Sequence, residues 1–181
     1  MKYHNITKAD MLNGEGLRVV LWVSGCSHRC HACQNSFTWD PNDGVEFDDD
    51  AKKEIFQELE KDWCSGLTLS GGDPLFCGNR SEIAKLVREV DEKYPHKTIW
   101  LYTGYLWEDL LKQKETDKDL ECILQHIDVL LDGKFVLKLA SEKAEYVGST
   151  NQCIIDVRKS LEENNKILYI DNKKILEGEE V

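Results

Sequence analysis

The 181-residue chain is poor in proline, with 3, and carries no repeat or low-complexity tract that would mark a linker between domains. No uninterrupted apolar stretch reaches the ~18 residues of a membrane span. Met1 to Leu12 carries polar and charged groups throughout, unlike a signal peptide. Basic residues are outnumbered, 23 Lys and Arg against 34 Asp and Glu, giving a net charge of −11. That balance excludes the basic stripe by which proteins hold a nucleic-acid backbone. It leaves an acidic surface that aids solubility and steers the chain toward a basic partner. Acid-rich stretches such as Asp48-Asp49-Asp50 and Glu177 to Glu180 read as solvated faces and tails. With an apolar fraction of 41%, residues 1–181 can bury the core of a single domain.

What the chain does have is cysteine, and its 7 are an odd number. Without a secretion signal they read as thiols of a reducing cytosol, so a cytoplasmic protein is expected and not a disulfide framework. Cys64, Cys77, Cys122 and Cys153 are scattered, and read as packing residues. Cys26, Cys30 and Cys33 are different, because they fall in Cys-Ser-His-Arg-Cys-His-Ala-Cys directly after the apolar run Val19 to Val23. Three thiolates on one short loop can hold three corners of an iron–sulfur cube and leave the remaining iron open to a small molecule. A structural zinc site is the alternative, but it wants four ligands, and the nearby additional candidates are His28 and His31. Three ordinary buried thiols are the plainest reading.

Apolar runs alternate with amphipathic segments along the chain. Arg18 to Val23 reads as a strand, and Asp50 to Trp63 as a helix with Ile55, Phe56, Leu59 and Trp63 on one face. Leu67 to Ser70 is a short buried strand running into Gly71-Gly72-Asp73-Pro74. A helix follows, with Asn79 as N-cap, Glu82 three residues on, and an Ile83, Leu86, Val87, Val90 stripe. Thr98 to Thr103 and Asp128 to Asp132 read as further strands, separated by helical pieces around Leu110 and Leu120 to Ile127. Ile154 to Val157 has strand character, and Lys166 to Leu176 reads as a hairpin turning at Asp171-Asn172. This alternation predicts α/β architecture with a largely parallel sheet. The chain falls short of the ~250 residues of a closed eight-stranded barrel, so an incomplete, open (βα) barrel is expected.

In such a fold the ends of four strands share one rim: the cysteine loop, Ser70-Gly71-Gly72-Asp73, Tyr102-Thr103-Gly104 and Asp132-Gly133-Lys134. Paired glycines permit close approach to backbone. The cysteine spacing resembles that of the radical S-adenosylmethionine enzymes. Further blocks resemble one branch of them, the glycyl-radical activases of anaerobic ribonucleoside-triphosphate reductases. These blocks include Asn13 to Arg18, Asn35 to Trp39, Leu67 to Leu75, Trp100 to Tyr105, Asp128 to Phe135 and Gly148 to Val157. Two departures stand inside the cysteine loop, where relatives commonly carry glycine and tyrosine at the positions of Ala32 and Gln34. The activases of other glycyl-radical enzymes, such as pyruvate formate-lyase, are usually longer, and many of the wider group insert ferredoxin-like cysteine runs that this chain lacks.

The resemblance implies an incomplete barrel of the radical S-adenosylmethionine type with a small C-terminal hairpin. It implies a 4Fe-4S cluster on Cys26, Cys30 and Cys33, with S-adenosylmethionine chelated at the open iron. It assigns Ala32, Cys33 and Gln34 to adenine contacts through backbone, Ser70, Gly71, Gly72 and Asp73 to the methionyl amino group, and Asp132 and Lys134 to its carboxylate. Thr103 joins that cofactor pocket. The implied reaction is reductive cleavage of S-adenosylmethionine to methionine and a 5′-deoxyadenosyl radical, which takes a hydrogen from a glycine of the large reductase subunit. An external electron donor such as a flavodoxin and a second copy of the chain in a homodimer complete the implied partners.

Overall fold

A computed structural model describes residues 1–172 and places eight strands in one mixed sheet. In chain order the elements are β1 (Lys2–Asp10), β2 (Leu17–Val23), β3 (Val45–Glu46), α1 (Asp49–Leu59), β4 (Cys64–Gly71), α2 (Arg80–Lys93), β5 (Thr98–Tyr102), α3 (Trp107–Gln113), α4 (Lys118–His126), β6 (Val129–Asp132), β7 (Cys153–Asp156), α5 (Val157–Glu162) and β8 (Leu168–Ile170). The sheet order is β3-β1-β2-β4-β5-β6-β7-β8. Strands β2, β4, β5 and β6 are mutually parallel and joined by helical crossovers, as the α/β pattern requires. Both flanks are antiparallel, so the sheet is parallel only at its centre.

Strand periodicity sorts the side chains to two faces. On one face Val19, Leu21 and Val23 of β2, Leu67 and Leu69 of β4, and Ile99 and Leu101 of β5 form the main core. Against them pack Ile55 and Leu59 of α1, Ile83, Leu86, Val87 and Val90 of α2, and Leu120, Ile123 and Leu124 of α4. The opposite face carries a smaller cluster of Trp100, Val129, Leu131 and Ile154, closed over by Ala144 and Val147. Among the described residues no helix is long and apolar enough to cross a membrane.

Several sequence expectations shift. Strand β1 has Ile6 as its one buried residue, so no alternation betrayed it. Helix α1 ends at Leu59, leaving Trp63 43% exposed instead of in the apolar stripe. Asp48 is a cap and not merely a solvated acid: its carboxylate accepts the Ala51 N–H at 3.0 Å, with Asp49 and Asp50 in the positive first turn. Asn79 precedes α2 but does not cap it, because its amide donates to the carbonyls of Ser24 and Asp73. Cys64 is buried as expected of a packing residue, whereas Cys77 is exposed. The Lys166–Leu176 hairpin lies partly outside the described residues; within them, β8 pairs with β7, with Ile170 opposite Ile154 and Leu168 opposite Ile155.

At the amino ends of the parallel strands a guanidinium is wholly enclosed. Arg18 is 0% exposed, and its Nε donates to Thr68 Oγ1, Nη1 to Glu15 O and Thr98 Oγ1, and Nη2 to the carbonyls of Leu67 and Thr98. Every N–H of the fork thus has an acceptor. The Trp100 ring lies 5.3 Å from the guanidinium carbon, and burial pulls its pKa down to about 10. Arg18→Lys keeps the charge but cannot reach acceptors on both strands. Loss of roughly 2–4 kcal/mol is expected in urea unfolding, from buried acceptors left unpaired. An unchanged midpoint would show that the fork is not a clamp.

Candidate functional site

The carboxyl ends of β2, β4, β5 and β6 open onto one cavity of about 790 Å³, which is ample for a cofactor-sized ligand. Cys26, Cys30 and Cys33 line it, together with Ala32, Gln34, Ser70, Gly71, Gly72, Asp73, Thr103 and Lys134. Of the site residues expected from sequence, Asp132 is the one absent from the lining. It is buried, and its carboxylate accepts the N–H groups of Trp107 at 2.9 Å and Cys153 at 3.2 Å, and the Lys166 ammonium at 3.2 Å. Leu106, the residue at the cap of α3, has no capping side chain, and Asp132 supplies that acceptor from the neighbouring strand.

The paired glycines serve a contact within the protein. Gly71 has φ +103°, a conformation L side chains rarely adopt, and a Cβ on Gly72 would lie 2.5 Å from the Gly25 carbonyl oxygen. That close approach lets Gly72 N–H donate to Val23 O and Asp73 N–H to Gly25 O, both at 2.8 Å. The turn after β4 is thereby stitched to the start of the cysteine loop.

Asp73 is the hub between these segments. It is 1% exposed and accepts from Leu75 N–H at 2.8 Å, from the Thr103 hydroxyl at 3.0 Å and from Gly104 N–H at 3.0 Å. His28, from the cysteine loop, brings Nε2 to 2.9 Å from Asp73 Oδ2, without the alignment of a hydrogen bond. The ring sits edge-on to Tyr105 at 4.5 Å and packs flush against Gly104, where any side chain would collide with it. His28 also lines the cavity, with Nε2 turned toward Asp73 and its ring against Tyr105, while His31 is exposed. Among the described residues no set of three or more His, Cys, Asp and Glu groups is arranged around a single metal ion.

The three cysteines fit a cluster better. All are free thiols half-open to the same cavity. Burial raises the Cys26 thiol above its ordinary value, while the N–H groups of His28 and Arg29 pull the other way by favouring the thiolate. Thiolate is the form that binds iron. Loop curvature comes from Arg29 and Ala32, at φ +47° and +59°, with Cys33 N–H closing a turn onto Cys30 O at 3.1 Å. Left-handed backbone at Ala32 explains why glycine suits that position. Leu12, Asn13, Trp39, Tyr146, Gly148 and Gln152 also line the cavity and had no assigned role. Their signal was present in the sequence blocks around Asn13, Asn35 to Trp39 and Gly148 to Gln152, which had no chemistry of their own to announce them.

Alanine at Cys26, Cys30 or Cys33 is expected to abolish cluster assembly, because two thiolates do not hold a cube. Alanine at Cys64, Cys77, Cys122 or Cys153 should leave iron and sulfide at the level of the unaltered chain. Iron lost from any of those four would mean that the triad is incomplete. His28→Ala should assemble iron yet show faster amide exchange over residues 26–33, and unaltered exchange would sever His28 from loop positioning.

A family model described as a 4Fe-4S single cluster domain matches residues 12–155. The anaerobic ribonucleoside-triphosphate reductase-activating protein of Enterobacteria phage T4 is 44% identical over 152 residues, covering 84% of this chain and 92% of its own length. The protein of that name from Haemophilus influenzae is 41% identical over 156 residues, 85% of this chain and 97% of its own. That of Escherichia coli K12 is 38% identical over 160 residues, 87% of this chain and the whole of the relative. With its cysteine loop inside the matched span and its length shared with these proteins, the chain belongs to the family of anaerobic ribonucleoside-triphosphate reductase-activating proteins, built on a 4Fe-4S single cluster domain.

Proposed function

We propose that this chain activates an anaerobic ribonucleoside-triphosphate reductase by generating a glycyl radical on its large subunit. The observation that carries the reading is the convergence of Cys26, Cys30 and Cys33 with the Ser70–Asp73 turn on one cavity. The open sheet is read as an incomplete barrel of the radical S-adenosylmethionine type, and residues 1–181 as one such domain.

Cys26, Cys30 and Cys33 would hold the cluster as thiolates. A bound, reduced cluster would supply the electron for cleaving S-adenosylmethionine to methionine and a 5′-deoxyadenosyl radical. The protein's part is placement. Asp73 has its carboxylate engaged by Thr103 and Gly104, so it holds the turn in shape while backbone of Ser70 to Gly72 borders the ligand. Lys134, exposed at the cavity wall, offers an ammonium to the methionyl carboxylate. Backbone of residues 32–34 faces the adenine, which accommodates Ala32 and Gln34 where relatives carry glycine and tyrosine.

A macromolecular substrate fits the surroundings of the cavity. Leu12, 78% exposed, lines it directly. Leu106 lies over Gly133, and Val136 and Leu137 follow the lining residue Phe135; all three are exposed. Apolar side chains exposed around an opening suit a partner that covers it and excludes water from the radical.

Reduced protein, S-adenosylmethionine and the reductase large subunit, mixed anaerobically, should give a doublet paramagnetic resonance signal. Deuteration of glycine at Cα should collapse it. A reductase that stays radical-free while another glycyl-radical enzyme becomes activated would overturn the partner assignment. Lys134→Ala should raise the S-adenosylmethionine dissociation constant by about tenfold or more, as loss of a charge-assisted contact. Unchanged affinity would take Lys134 out of the pocket.

A further inference from the structure

The family model stops at residue 155, yet the chain continues into a segment whose side chains reach Asp132, Glu15 and Glu145, each close in sequence to residues that line the cavity. Between Lys166 and Asn172 the backbone of β8 pairs with β7, and every third side chain reaches a different segment. The Lys166 ammonium lies 3.2 Å from Asp132 Oδ2, at the end of β6. Tyr169 donates its hydroxyl to Glu15 at 2.7 Å, within the turn that follows the cavity residues Leu12 and Asn13. Asn172, 7% exposed, grips both sides of residue 145: its Oδ1 accepts Glu145 N–H at 2.9 Å and its Nδ2 donates to Glu145 O at 3.2 Å.

Residue 145 matters because Tyr146, Val147 and Gly148, immediately after it, form one wall of the cavity. That wall has little regular structure to hold it. Tyr146 sits at φ +55°, in left-handed backbone that a tyrosine rarely adopts. Its carbonyl is held by the Tyr102 hydroxyl at 2.9 Å. On the inner face Trp100 is flanked edge-on by Tyr146 at 5.2 Å and by Tyr169 at 5.4 Å, so the strand and the wall grip one indole from two directions. Ile170 adds apolar contact to the same small core as Ala144 and Val147.

We propose that Lys166–Asn172 is a positioning strap that holds the 144–148 wall in place and thereby sets how tightly the cavity grips S-adenosylmethionine. The second clause rests on the function proposed above; the first does not. A strand that merely widened the sheet would need its backbone pairing with β7, but not a side-chain amide satisfying both polar groups of a residue in the opposite wall.

The test uses the full chain with Asn172→Ala, Asn172→Asp and Tyr169→Phe. The aspartate keeps the acceptor for Glu145 N–H and loses the donor to its carbonyl. In the protein without added cofactor, amide exchange over residues 144–150 should speed up by about tenfold in Asn172→Ala, as two hydrogen bonds are lost, and by less in Asn172→Asp. Exchange in β4 and β5 and cluster iron should not change. The dissociation constant for S-adenosylmethionine should rise by about five- to tenfold in the alanine variant. Tyr169→Phe, which keeps the ring against Trp100, should move both readouts less and reports on the strap even if Asn172→Ala folds poorly. Unchanged exchange at 144–150 overturns the proposal, and so does faster exchange with unchanged affinity. Absence of S-adenosylmethionine binding by the unaltered chain would instead sink the functional reading, and the exchange comparison alone would decide the strap.

Discussion

Two backbone hydrogen bonds, from Gly72 to Val23 and from Asp73 to Gly25, fix where the cysteine loop leaves the sheet. They act together with the bonds from Gly25 and Cys26 N–H to the Thr38 and Trp39 carbonyls, and tie the start of the loop to the turn after β4. Their formation requires that nothing project from position 72, since a Cβ there would meet the Gly25 carbonyl. The Asn79 amide adds a third tie, bonding the Ser24 and Asp73 carbonyls together. Register of β2 against β4 therefore passes directly into geometry of the cavity. A parallel strand pair is well suited to this, because both strands deliver their following loops to the same edge.

Buried charge is used in this protein chiefly to hold backbone. Arg18 has its donors matched by carbonyls and hydroxyls, Asp73 has backbone and hydroxyl donors from its own turn and from the end of β5, and Asp132 caps α3 from the side. Each would be costly to bury unpaired, and each joins segments distant in sequence. The groups lining the cavity include the three thiols, the glycine backbone after β4, the Lys134 ammonium, the amides of Asn13 and Gln152, and the rings of Trp39 and Tyr146.

Much of this was legible in the sequence, for reasons that differ by element. The central strands announced themselves because Val19 to Val23, Leu67 to Leu69 and Thr98 to Leu101 are apolar enough to be covered on at least one face. The cysteine triad stood out by its spacing, and the structure brings all three thiols to one cavity. Strand β1 was not, because an edge strand with a single buried residue has no pattern to show. The resemblance put Asp132 in the pocket; in the structure its carboxylate accepts the Trp107 N–H and the residue does not line the cavity, and a sequence cannot tell which way a buried carboxylate turns. The glycine pair lines the cavity as the rim reading placed it, and Gly72 also packs against the Gly25 backbone, a contact the sequence does not show.

The packing of His28 on Gly104 has a consequence for how this sequence can change over time. The imidazole fills the space a side chain at 104 would need, and it reaches Asp73 from the same position. Three strand-end segments consequently share one steric and electrostatic constraint. A mutation at 104 expels the ring, a smaller residue at 28 opens a gap beside Tyr105, and a longer acid at 73 pushes into the imidazole. The three positions are therefore sterically coupled: which side chain fits at one depends on the other two.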